Sequence, residues 1–249
     1  MPRPLLAGLC GLLLLVGAPA WAAVTWDTDT TQQAASGTSD TFNHIIGSGS
    51  NVYVGVCVFT RNGTTAADVT SVTIDGSAGA HIQTANDSAD GTNIRVEMWG
   101  RALGNKNGSI AIDTVWDRTD VPRIVAFSMF GVDQGTPVGT PQSTAPGTYP
   151  TSLSVNVSSA TDELVVSCLG LASSASSITV GAGQTGQWTN TSTAANNTQD
   201  QGSTEPGGAT VTMSHSWTTA DYAALVAAPF KAAAAAATTQ NLMLMGVGN

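Results

Sequence analysis

Residues 51–59 read Asn51-Val52-Tyr53-Val54-Gly55-Val56-Cys57-Val58-Phe59, with valine at 52, 54, 56 and 58. Side chains two apart share one face of a strand, whereas a helix brings together positions three and four apart. Valine on every second position therefore builds one apolar strand face, and its β-branch favours extended backbone. Residues 123–130 (RIVAFSMF) carry apolar side chains on both faces and read as a central strand.

Working outward, Val69–Ile74 ends at Asp75-Gly76, a strong turn signal. Ile94, Val96 and Met98 line one face of the next strand, opposite Arg95, Glu97 and Trp99. Asn107-Gly108 marks a turn before Ile110-Ala111-Ile112, and further strands fit 153–157, 164–171, 209–215 and 222–230. No stretch beyond the amino-terminal run carries a helical period. About ten to twelve short strands broken by Gly, Asn-Gly and Pro predict an all-β chain, a two-sheet antiparallel sandwich of jelly-roll type. Residues 132–150 and 181–208 read as long polar loops, where a rigid sandwich would site binding.

The amino terminus reads as an export signal. Arg3 precedes an apolar run, Leu5 to Gly17, that is too short to span a bilayer. Ala18-Pro19-Ala20-Trp21-Ala22 then places small residues where a signal peptidase cuts, after Ala22. Leu9 before Cys10 does not make a lipobox. The expected division is a signal peptide over 1–22, a sandwich domain over 23–231, and an alanine-rich spacer with an apolar tail over 232–249. That tail holds Leu242-Met243-Leu244-Met245, a segment suited to pair at a sheet edge of its own or a neighbouring chain.

Composition narrows the partners. Removing residues 1–22 takes away Arg3 and no acid, leaving seven basic residues against 17 acidic ones and a net charge of −10. So acidic a chain has no footprint for nucleic acid or, once the signal is gone, for anionic membranes. Charged residues are only 10% of the chain while Ser, Thr, Asn and Gly abound, which suits a secreted, extracellular or periplasmic β-protein. Cys57 and Cys168 are the only cysteines left after cleavage, and an even count outside the cytoplasm favours a disulfide between them.

Candidate sites are few. Glu97 lies between Arg95 and Trp99 on one strand face, a setting that can hold a sugar ring. Trp116 stands beside Asp117 at a strand end, and Trp188 sits among Gln187, Thr189 and Asn190 with no apolar neighbour, which predicts an exposed ring. These five, Arg95, Glu97, Trp99, Trp116 and Trp188, form the expected ligand-binding set. Asn86, Ser88 and Asp90 alternate before Gly91, with Glu97 at the twelfth position from Asn86, an echo of the calcium loop of an EF-hand. A polar hairpin explains the same letters without an ion. No G-x-S-x-G elbow occurs, the only histidines are His44, His81 and His215, and Glu97 has no partner carboxylate in sequence for glycoside hydrolysis. The cluster of Asp113, Asp117 and Asp120 with Arg118 and Arg123 reads as a solvated loop.

Val72-Thr73-Ile74-Asp75-Gly76, then Val96-Glu97-Met98-Trp99, then Gly131-Val132-Asp133-Gln134 with Pro137 resemble, in order and spacing, a loose group of uncharacterised exported or phage-associated bacterial β-sandwich proteins. The resemblance spans about residues 40–232 and implies the fold; it brings no catalytic residues. The expectation is a non-enzymatic exported surface-binding or structural module without a cofactor, its ligand a glycan or cell-surface polymer. The alternatives are a structural subunit of an extracellular or virion-like assembly, self-associating through its tail, and an extracellular hydrolase.

Overall fold

A computed structural model describes residues 23–62, 65–88, 93–172, 177–191 and 198–234. Residues 1–22, read as a signal peptide, Asp90, Gly91 and the tail beyond residue 234 lie outside the described residues. Among the described residues there are seventeen strands, all pairing antiparallel, and no helix long and apolar enough to cross a membrane.

The first half of the chain contributes β1 (Thr25–Gln33), β2 (Gly37–Ile46), β3 (Val52–Asn62), β4 (Val69–Ile74), β5 (Ser77–Ala78), β6 (Ala80–Asp87), β7 (Asn93–Gly104), β8 (Gly108–Asp120) and β9 (Arg123–Phe130). They form a sandwich of two sheets, ordered β1-β9-β3-β7-β6 and β2-β8-β4-β5. The second half contributes β10 (Gln142–Thr144), β11 (Ser152–Val157), β12 (Leu164–Leu171), β13 (Ile178–Val180), β14 (Thr185–Thr191), β15 (Gln199–Pro206), β16 (Val211–Trp217) and β17 (Ala223–Phe230). Their order is β10-β17-β12-β15-β14 and β11-β16-β13, which repeats the first half strand for strand except β5. The expected single two-sheet sandwich is therefore two jelly-roll-like sandwiches in tandem, with four sheets.

The repeat extends to single contacts. Trp116 in β8 donates its indole N–H to the carbonyl of Gly37, at the start of β2, over 2.7 Å. Trp217, at the matching place in β16, donates to the carbonyl of Pro150, just before β11, over 3.0 Å. Cys57 and Cys168 sit in the equivalent strands β3 and β12.

The alternating valines explain the stacking. Val52, Val54, Val56 and Val58 pack with Val72, Ile74, Ile110 and Ile112 inside the first sandwich. On the other side of β3, Tyr53, Cys57 and Phe59 pack against Val166, Cys168, Val226 and Phe230 of the second sandwich. A third core lies inside the second sandwich, where Val165, Leu169 and Leu225 meet Leu153, Val155 and Met213. The two five-stranded sheets are thus buried on both faces and lie back to back, each covered outside by its smaller sheet. Cys57 and Cys168 are bonded across this central layer, their Cα atoms 6.5 Å apart. Gly170 lets the layers close: a Cβ there would lie 2.8 Å from a Val96 methyl and 3.2 Å from the Phe59 ring.

Residues 181–208 correct the sequence reading, since β14 and β15 run through the expected loop. β15 (QDQGSTEP) shows no apolar alternation because its buried Gln199, Asp200, Gln201, Ser203 and Thr204 face protein on both sides. They are inside because side chains of neighbouring strands hydrogen-bond several of them, which removes the cost of burying a polar group.

Candidate functional site

Arg95, Glu97 and Trp99 do share one face of β7, as the alternation predicts, and turn away from the central core toward β4. Glu97 is only 2% exposed. Its Oε1 accepts from the Val69 backbone N–H (2.9 Å) and from Arg95 Nε (2.7 Å), and its Oε2 accepts from Trp99 Nε1 (3.2 Å). Arg95 continues to Asp68 at 3.1 Å, and His81 stands edge-on to Trp99, ring centroids 5.0 Å apart. With both oxygens taken by three donors, the carboxylate anchors β4 to β7. Asn86 and Ser88 are exposed at the end of β6, and no group of three or more His, Cys, Asp or Glu converges to ligate an ion among the described residues.

Of the tryptophans expected in the binding set, Trp188 and Trp116 lie inside and Trp99 is half-buried. Trp188 is 6% exposed. The β14–β15 register shifts between Gly186 and Trp188, turning the indole inward over Gly202, where a side chain would collide with the ring. There it joins Trp26 and Phe127, with centroids 6.0 and 6.1 Å away. Trp188 Nε1 donates to Asp200 Oδ1 at 3.1 Å, so tertiary neighbours supply the apolar surroundings that the local sequence lacks. Trp116 is 2% exposed and committed to Gly37. Neither presents a platform for a sugar.

Arg123, read as part of a solvated loop, reaches across the central layer instead. Its Nε lies 3.3 Å from Asp200 Oδ2, and Asn190 donates to Asp200 Oδ1 at 2.9 Å while also bonding Thr31 of the first sandwich. Burial pushes the Asp200 carboxyl up to about 6, against the pull of Asn190, Arg123 and Trp188.

Two histidines form polar nodes within the sandwiches. His44 Nδ1 meets Thr30 Oγ1 at 2.9 Å and its Nε2 meets Ser128 Oγ at 3.0 Å, while Ser128 donates to Asp27 Oδ2 at 2.7 Å. The three residue types of a catalytic triad are present in the wrong order. Serine sits between histidine and aspartate and gives its proton to the carboxylate, whereas a triad needs histidine in the middle. His215 meets Ser167 Oγ at 2.9 Å and Gln201 Oε1 at 3.2 Å. Burial lowers both imidazoles to about 4, at His44 despite the charge of Asp27.

No family model, curated protein or solved structure matches this chain.

Among the hollows that open beside the linker between the sandwiches, two have mainly apolar walls. The larger, of about 570 Å³, is lined by Asp133, Thr136, Asp162, Glu163, Lys231 and Ala232. The other, of about 410 Å³, lies between β6 and linker residues 136–141 and includes Tyr53 and His81. Neither was legible in sequence, because each is walled by segments that meet only after the second half folds back on the first.

Proposed function

We propose that this chain is an exported, non-enzymatic module, a rigid pair of β-sandwiches that binds a neutral glycan or spaces other parts at the cell exterior. The observation that carries this reading is the use made of the reactive groups. His44 with Ser128 and Asp27, His215 with Ser167, and Glu97 with Arg95 are all bonded within the fold, and each has a buried acceptor or base at its centre. General acid–base or nucleophilic work needs such a group within reach of a substrate. A disulfide across the central layer suits an oxidising compartment. The test is a panel of chromogenic esters, glycosides and peptides incubated with the mature protein. The expected rate equals that of buffer, and turnover that disappears in His44→Gln or His215→Gln overturns the reading.

A second reading, a subunit of a larger assembly, draws on the sequence after the last strand. Ala233 donates its backbone N–H to Gly131 at 2.7 Å, which ties residue 233 to the seam between the sandwiches, and the apolar Leu242–Met245 follows nine residues later in sequence. Light scattering on the chain lacking residues 238–249 decides: a drop in mass supports assembly, and an unchanged monomer removes it.

A further inference from the structure

Tyr53 points one side of β3 toward the second sandwich, its ring 5.2 Å from that of Phe230. It is 2% exposed, yet among the described residues its hydroxyl has no hydrogen-bond partner. The oxygen rests against the bare backbone of Gly100, where a Cβ would come within 2.5 Å of it, and it lines the hollow of about 410 Å³ beside β6. The ring is buried while the oxygen faces the hollow, so its unused donor and acceptor are offered there. Burial also pushes the phenol's pKa up, which keeps the group a neutral donor.

The rest of the hollow supplies a matching environment. Ile82, Pro137 and Val138 offer hydrocarbon surface, and no acidic, lysine or arginine side chain lines it. His81, more exposed, engages Thr84 Oγ1 through Nε2 at 2.8 Å, and its Nδ1 has no partner among the described residues. An apolar hollow of a few hundred Å³ with two convergent polar groups is the usual form of a small-molecule site. Absence of charge in the lining selects a neutral ligand. A sugar ring has the required two-sided chemistry, with C–H groups on one side and hydroxyls that both donate and accept on the edge.

We propose that this hollow binds one ring of a neutral glycan, its C–H face on Ile82, Pro137 and Val138 and its hydroxyls on Tyr53 Oη and His81 Nδ1. The assignment rests on reading the chain as an exterior binding module and names the site that the buried tryptophans do not provide.

The test titrates the full mature protein with methyl glycosides of glucose, galactose, mannose and N-acetylglucosamine and with their short oligomers. Binding is followed by calorimetry and by Trp99 emission, since His81 touches that indole edge-on. At least one sugar is expected to bind saturably. Tyr53→Phe, which keeps the ring, is expected to weaken that binding about tenfold, as for loss of one hydrogen bond, without lowering the melting temperature. His81→Gln is expected to weaken it also and to change the Trp99 signal. The proposal is overturned if no sugar in the panel binds, or if Tyr53→Phe binds as tightly as the parent. It also fails if Tyr53→Phe melts lower, because the hydroxyl would then have a structural partner. Failure on any of these counts leaves the module reading standing, which falls only to turnover in the hydrolase panel.

Discussion

Acidification from pH 6.5 to 4 is expected to weaken this fold, and the two buried histidines set the size of the effect. His44 and His215 ionise near 4 in the folded chain against 6.5 for an ordinary histidine. Above 6.5 both rings are neutral whether the chain is folded or not. As pH falls through the window, the unfolded chain takes up protons that the folded one refuses, so stability is lost down to about pH 4. At 1.36 kcal/mol per pH unit each histidine accounts for about 3 kcal/mol. Asp200 opposes them. Its folded pKa is about 6 against a usual 3.8. Between these values the folded chain is the one that binds the extra proton, and acidification returns about 3 kcal/mol. The balance is a net loss of about 3 kcal/mol, a large part of the stability of an ordinary domain. Reversible urea unfolding of the parent, His44→Gln, His215→Gln and the double variant at pH 7, 6, 5 and 4 reads it. The slope against pH is the observable, because each substitution also changes stability at every pH. Each single variant should lose part of the acid-induced decline, and the double variant should become more stable toward pH 4. Asp200 then leads, joined by Asp29 and Glu205, whose carboxyls burial also raises, and opposed by the lowered carboxyls of Asp117 and Asp133. A parent whose stability is flat over this range, or variants that keep its slope, would refute the reasoning.

Thiol titration of the denatured, unreduced mature protein should find no free thiol, and Cys57→Ser with Cys168→Ser should lower stability by about 4–5 kcal/mol, as expected for closing a loop of about 100 residues. Trp188→Phe should remove a fluorescence component shielded from acrylamide; loss of a readily quenched component would contradict the packing of that ring. Gly202→Ala should destabilise by about 1–3 kcal/mol in thermal melts, because its methyl enters the space of the Trp188 indole. Glu97→Gln should cost about 1–3 kcal/mol, since Val69, Arg95 and Trp99 all donate to the carboxylate and an amide cannot accept from all three as well.

How much of the site was legible divides along the same line as the fold. The face shared by Arg95, Glu97 and Trp99 followed from period-two alternation alone, and the three side chains do meet. That Glu97 is a buried anchor did not follow, because its third donor, Val69, belongs to a strand distant in sequence that pairs in another sheet. The exposure expected for Trp188 failed for a similar reason. Its neighbours in sequence are polar, and its neighbours in space are Trp26 and Phe127.

Local chemistry was enough to determine that the chain is all-β and antiparallel, that Asp75-Gly76 turns between β4 and β5, and which face of β3 carries its valines. These depend on side-chain alternation and on backbone angles that a residue adopts with its immediate neighbours; Asp75 and Gly76 both take positive φ, 50° and 71°. Tertiary structure alone decided that there are two sandwiches, that β14 and β15 are strands despite their polar letters, and that the second face of β3 meets another sheet. A polar residue enters a core when a distant partner completes its hydrogen bonds, and one sheet covers another only when a chain more than a hundred residues away comes back to it. Neither condition is written in any local stretch, so the stacking of the two halves, and the hollow that it leaves over Tyr53, exist only in the folded molecule.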